Sequence, residues 1–276
     1  VRHAHHPPHL GDSIEWLIRS AAVRPDAGEI QHAAQRGLPV LTRGQVLPAL
    51  LEGSHSVAVA GTHGKTTTAT LITLMLRDAG RDPSWCIGGE CPRLPGVAGA
   101  GGEPLLVVEA DESDGTLSLY APEIAVITNV ELDHMEHFGS IAALSECFER
   151  FIRNTRRCVI YCRDDPRAAA LCEECPRAVS YGRREGADWT AVDIEAGPHG
   201  LGFNVSCGGE KLGRVTMPVA GEHNILNALG AVAAASALGV EFAALRASLE
   251  QAVLPRRRFE TVAANHGVTV ISDYAH

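Results

Sequence analysis

The chain has 276 residues, 45% of them hydrophobic and 21% charged, with a formal net charge of −9. That length allows one large or two modest domains with a full core. The acidic balance argues against a nucleic-acid-binding face, which needs a basic surface, and no apolar run reaches membrane length, the longest being the short, alanine-rich stretch Ala228 to Leu238.

Residues 1–10 are rich in histidine and proline and lack the apolar centre of a secretory signal. His3, His5, His6 and His9 read as a surface segment rather than a metal site, because nothing orders them. The eight cysteines, without a signal, point to reduced thiols and a cytoplasmic protein. Residues 12–53 read as the tail of an α/β domain: a strand over 13–20, a helix over 25–36 stopped by Gly37, a strand at 39–41 and a brief helix over 45–51. One βαβ unit alone leaves a sheet edge bare, which implies partners upstream. Together with the ending at Tyr274-Ala275-His276, this reads as a piece of a longer protein.

Val57 to Ala60 is a short apolar run that reads as a buried parallel strand. Gly61-Thr62-His63-Gly64 is a glycine-bracketed turn, and Lys65-Thr66-Thr67-Thr68 opens a helix running to about Ala79. Such a loop can wrap phosphates, because bare N–H groups point inward and the helix N-terminus adds partial positive charge. Lys65 is placed to reach the β/γ-phosphates and Thr66 to sit on Mg²⁺. The phosphate-loop pattern asks for a glycine where Val59 stands. Of 24 Lys+Arg residues only Lys65 and Lys211 are lysines, so a lysine at this point is not a generic surface cation.

Beyond this turn, strands are predicted at 83–88, 104–109, 124–128 and 157–162, and helices at 140–154 and 165–174. The alternation predicts a doubly wound parallel sheet. Leu105 to Val108 leads into Glu109-Ala110-Asp111-Glu112-Ser113-Asp114, which puts an acidic cluster where ligands of open α/β sheets lie. Glu109, nearest the strand, is the best Mg²⁺ ligand. The strand at 124–128 delivers Asp133 and His134 to the same edge. Cys172 and Cys175 have half of a zinc-knuckle spacing without the partner pair. Residues 189–218 show alternating, glycine-broken strands, expected as a small antiparallel sheet beside the main one. Helices at about 222–238 and 241–252 follow. Asn224 and Asn227 share a face of the first of these, where by themselves they read as helix caps. Pro255 to Glu260 reads as a linker, with strands at 260–264 and 268–272 beyond it.

The order of these motifs, completed by Arg257-Arg258-Phe259 and Asp273-Tyr274-Ala275-His276, resembles the Mur ligases over about residues 12–276. The resemblance implies three parts: a partial UDP-sugar domain at 1–53, a phosphate-loop-type ATPase domain at 54–254, and the start of an amino-acid domain at 255–276. It implies ATP and Mg²⁺, with Gly61, Thr62, His63, Gly64, Lys65, Thr66, Thr67, Asn224 and Asn227 holding the nucleotide. Thr66, Glu109 and His134 would hold the metal. Arg258 and Asp273 would close the site with Lys65 and His134, and His276 would approach the amino acid. The acidic run and Asp133-His134-Met135 favour the member that joins UDP-N-acetylmuramate to L-alanine in peptidoglycan synthesis. A murein-peptide-recycling or folylpolyglutamate-type sibling, or an ATP-hydrolysing switch, are the alternatives. Several sister ligases carry a carbamylated lysine after the Asp-His-Met motif; here Glu149 stands in about that place, and a carboxylate serving directly is one reading of it.

Overall fold

The computed structural model describes residues 11, 13–20, 23–131, 138–197, 200–258, 260–265 and 267–273. The His3–His9 cluster, Asp133, His134 and His276 therefore lie outside the described residues. In chain order the elements are β1 (Leu17–Arg19), α1 (Gly28–Gln35), β2 (Val40–Thr42), α2 (Arg43–Leu50), β3 (His55–Ala60) and α3 (Lys65–Asp78). Then come β4 (Ser84–Cys86), β5 (Ala98–Gly99), β6 (Leu105–Glu109), a 3₁₀ turn (Thr116–Leu119), β7 (Ile124–Ile127), α4 (Ile141–Asn154), β8 (Cys158–Cys162), α5 (Pro166–Cys172) and β9 (Ala178–Gly182). The chain continues through β10 (Trp189–Gly197), β11 (Gly200–Cys207), β12 (Glu210–Met217), α6 (His223–Ala237), α7 (Phe242–Glu250), β13 (Glu260–Asn265) and β14 (Val268–Ser272).

Ten strands form one sheet in the order β12-β11-β10-β9-β8-β7-β3-β6-β4-β5. The strands from β4 to β9 across its middle are parallel. The expected antiparallel strands are present, but not as a layer beside the main sheet. β10 pairs in parallel with β9 through Trp189–Tyr181 and Thr190–Gly182, and β11 and β12 continue from it as an antiparallel extension. An open β9 edge would leave a row of backbone groups unpaired, and β10 takes them up. β1 and β2 form a separate parallel pair, and β13 and β14 an antiparallel hairpin.

Period-two alternation explains how β3 carries two cores at once. Val57 and Val59 enter the cluster shared with α3, α6 and α7, while Ala58 and Ala60 enter the opposite cluster with α2, α4 and α5. β6 and β7 split in the same way. On the second face α4 supplies Leu144, Cys147, Phe148, Phe151 and Ile152, an i, i+3, i+4, i+7, i+8 stripe. Each large side chain so buried contributes about 1.5–3 kcal/mol. α3 is buried from Thr66 to Leu76. Its inner threonines satisfy themselves, Thr70 donating to the Thr66 carbonyl at 2.7 Å and Thr73 to that of Ala69 at 2.8 Å. Among the described residues no helix is long and apolar enough to cross a membrane.

Candidate functional site

β3 sits where the strand order reverses. Its neighbours β6 and β7 lie on opposite sides, and the chain leaves β3 through α3 towards β4, two strands away. Ligands of open α/β sheets collect at such a switch point, beyond the strands' carboxyl ends. The registers bring those ends level, with Val59 opposite Glu109 and Ala60 opposite Ile127.

The turn after β3 begins at Gly61, with φ +131°, and ends at Gly64, with φ +83°. Val59 is strand, so Gly61 makes the turn that the usual pattern assigns further upstream. The segment after β7 pins this loop. The Asn129 amide oxygen accepts from the His63 N–H at 2.8 Å, and its Nδ2 donates to the His63 carbonyl at 3.0 Å. Thr128 Oγ1 donates to the same carbonyl at 2.6 Å, and the Glu131 N–H donates to Thr62 Oγ1 at 2.9 Å. A Cβ at Gly61 would run into Thr128 and the Asn129 backbone, and one at Gly64 into the Asn227 amide.

Thr66 Oγ1 donates to Glu109 Oε2 at 2.9 Å, and the same oxygen accepts from the Gly88 N–H at 2.7 Å. Lys65 Nζ donates to the Gly61 carbonyl at 2.6 Å and lies 2.9 Å from Glu112 Oε2. Burial pushes the Glu112 carboxyl up, and the Lys65 ammonium pulls it back only in part. The two acids of the β6 loop are thus divided, Glu109 to the hydroxyl and Glu112 to the ammonium.

These groups open on a cavity of about 880 Å³, within the range for small-molecule sites. Its walls hold Thr62, His63, Gly64, Lys65 and Thr66, with Gly88 to Glu90, Glu109 and Asp111. Arg43 reaches it from the start of α2, and Arg256, Arg257, Arg258 and Glu260 from the segment entering β13. Five cations here face four carboxylates in a chain of net charge −9. Cation-rich clefts favour polyanionic ligands. The Arg256 N–H donates to the Glu90 carbonyl at 2.7 Å, tying that segment to the β4 side. Arg257 has φ +62°, unusual for a non-glycine residue.

Several predicted residues stand elsewhere. Gly61 and Thr67 are not among the cavity walls; Thr67 is buried in α3. Asn224 and Asn227 are buried behind the loop and do not cap α6. Asn224 Nδ2 donates to the Ala220 carbonyl at 2.8 Å, Asn227 Nδ2 to Asn224 Oδ1 at 3.0 Å, and Thr68 Oγ1 to Asn227 Oδ1 at 3.4 Å. The pair therefore fastens α6 to the first turn of α3. Asp273 follows Ser272, a wall residue, without being one itself. Glu149 is exposed on α4, away from the cavity walls. Cys172 is buried and its thiol pushed up to about 12, while Cys175 is half-buried and both are free.

Glu112, Thr128, Asn129, Arg43 and Arg256 were not singled out by sequence reasoning. The signals were faint but present: the first three lie within runs that follow buried strands, and Arg256 opens the arginine run.

A glycine loop and helix N-terminus at a sheet's switch point, with a half-buried lysine and an adjacent hydroxyl–carboxylate pair, define an α/β domain of the phosphate-loop class. A profile of the Mur ligase middle domain matches residues 59–235, and the chain belongs to the Mur ligase family. It is 39% identical over 265 residues to the UDP-N-acetylmuramate–L-alanine ligase of Gloeobacter violaceus, covering 95% of this chain and 57% of that protein. The crystal structure of UDP-N-acetylmuramate–alanine ligase MurC from Thermotoga maritima superposes with a TM-score of 0.88 at 30% identity, over 99% of this chain and 63% of that one. The murein-peptide ligase from Neisseria meningitides gives 0.76 at 26%, over 90% and 82%. The chain thus spans less than two thirds of the Gloeobacter and Thermotoga proteins.

Proposed function

We propose that this chain carries the ATP-binding centre of a ligase that joins the carboxylate of UDP-N-acetylmuramate to L-alanine in peptidoglycan precursor synthesis, in the cytoplasm. The observation that carries the reading is the meeting of Lys65, Thr66 and Glu109 with Arg256–Arg258 on one cavity. The likeness to the Thermotoga enzyme, higher in both TM-score and identity than that to the murein-peptide ligase, supports the choice of acceptor. In this reading residues 1–53 belong to the UDP-sugar part, 54–254 to the ATPase part and 255–276 to the amino-acid part.

A carboxylate is a poor electrophile, so the reaction begins by phosphorylating it. A carboxylate oxygen attacks the γ-phosphorus of ATP, and ADP leaves. The amine of L-alanine then attacks the acyl carbon and loses a proton. Phosphate departs from the tetrahedral intermediate, taking the original carboxylate oxygen with it. The Thr62 and His63 N–H groups are taken up by Asn129, so the N–H groups from Gly64 onward, at the start of α3, hold the phosphates. Lys65 and Arg258 stabilise charge on the transferring phosphoryl group, where preorganised electrostatics supply most of the acceleration. The Thr66 hydroxyl and Glu109 carboxylate, 2.9 Å apart, are neighbouring oxygen donors of the kind Mg²⁺ takes, and His134 would complete the set. Bound there, Mg²⁺ would neutralise phosphate charge. Asn224 and Asn227 contribute by holding the loop's helix in place. Asp273 and His276 act from the amino-acid side.

The test is an acceptor screen on the full-length protein with UDP-N-acetylmuramate and ATP, read by mass spectrometry. L-alanine should give product, and a murein tripeptide should not; tripeptide ligation without L-alanine ligation would overturn the reading. Lys65→Ala should lower turnover by about 10²–10³-fold or more.

A further inference from the structure

The Lys65 ammonium is held by two separate elements of the protein. Its side chain is 12% exposed and that of Glu112 is 2%. An ammonium has three N–H donors and no acceptor. Around it lie the Gly61 carbonyl at 2.6 Å, Glu112 Oε2 at 2.9 Å and Oε1 at 3.2 Å, and the Thr62 carbonyl at 3.4 Å. Two donors thus have short partners on two different elements, the turn after β3 and the loop after β6. With the two Glu112 oxygens sharing one donor, the third has only the long contact to the Thr62 carbonyl. A buried ion pair seldom adds stability over an apolar pair of the same size, so its presence at a cavity wall calls for another explanation.

We propose that Glu112 is a positioning residue for phosphoryl transfer: with the Gly61 carbonyl it clamps the Lys65 ammonium and leaves one N–H for a phosphate oxygen of the bound nucleoside triphosphate. This rests on the nucleotide reading of the cavity. A phosphate then displaces only the Thr62 contact, and the ammonium does not reorganise as charge shifts. Without Glu112 the flexible lysine keeps its charge but loses its fixed place. Ground-state nucleotide binding holds or tightens, because a nearby negative charge is gone, while alignment in the transition state is lost. The predicted signature is a fall in kcat without a rise in KM for ATP.

The test uses the full-length protein, in its wild-type form and as Glu112→Gln and Glu112→Ala. Nitrogen-15 labelling of lysine reads the ammonium, with the Lys65 signal assigned by its loss in Lys65→Arg and the exposed Lys211 as the reference. In the wild type the Lys65 N–H protons should be protected from exchange, whereas in both variants they should exchange as fast as those of Lys211. Turnover should fall about tenfold or more in both, with KM for ATP unchanged or lower. Wild-type Lys65 protons that exchange like those of Lys211 overturn the proposal without reference to activity. So does a variant with wild-type kcat per folded molecule, or one whose loss lies in KM alone. Failure of the ligase reading looks different: the wild type itself would show no acceptor-dependent ATP turnover.

Discussion

Gly64 makes the turn after β3 possible in two ways at once. Its φ of +83° disfavours any residue with a Cβ, and the Asn227 amide fills the space that Cβ would need. The left-handed conformation alone costs an L-residue roughly 1–2 kcal/mol. Gly64→Ala should therefore lower stability by about 1–3 kcal/mol in denaturant unfolding and weaken ATP binding as well. Asn227→Ala should cost about 1–3 kcal/mol, because it strips the buried Thr68 and Asn224 groups of a partner. A third residue sets an acid limit. Burial pushes the Glu123 carboxyl up, but hydrogen bonds from Arg157 and His55 together outweigh it and hold the carboxyl below its ordinary value of 4.5. A depressed folded-state value adds stability above the unfolded value and loses it as pH falls through the folded one. The stability gap between wild type and Glu123→Gln should be full at neutral pH and close below about pH 4.5, measured by urea unfolding across pH. None of these pairings is legible in the sequence. Asn224 and Asn227 read as caps because amides at a helix start usually are. Which acid of Glu109-Ala110-Asp111-Glu112 meets which partner depends on the path of the loop, not on its composition.

At the scale of elements the sequence is far more informative. The continuous apolar runs of β3, β6 and β7 and the helix of α4 each follow from one chain segment, and they lie within a residue or two of where the sequence puts them. The small differences have local causes. The helix expected at 45–51 begins at Arg43, because Thr42 and Gln45 form a capping box, with Thr42 Oγ1 accepting from the Gln45 N–H and the Gln45 side chain accepting from the Thr42 N–H. Thr42→Ala should cost about 1 kcal/mol, read as earlier hydrogen exchange in α2 than in α3. Gly44 lets that helix approach Asp114 and Thr116 after β6, which carries Arg43 to the cavity rim. Alternation identifies β10 to β12 as strands but is silent about partners. Their junction with β9 rests on two pairings only, so the separate small sheet was the natural expectation.

The whole molecule gathers its site from three separate pieces of sheet. The ten-stranded sheet supplies the loop, Lys65, Thr66, Glu109 and Glu112; α2, beside the β1–β2 pair, brings Arg43; and the approach to β13 brings three arginines. A cleft built this way suits a reaction that must bring a nucleotide, an acid and an amine together and exclude water between steps. The motifs after β3 and β6 reach one cleft because both strands belong to the parallel middle of one sheet. The share of the arginines between the two ends of the chain was not anticipated, because it places residues more than 200 positions apart on one cavity. The most direct measurement follows oxygen. With full-length protein, ATP, L-alanine and UDP-N-acetylmuramate labelled with oxygen-18 in its carboxylate, the phosphate released should carry one labelled oxygen and appear in step with ADP. Unlabelled phosphate, or ADP formed at the same rate without the sugar nucleotide, would contradict phosphoryl transfer to a carboxylate at this cleft.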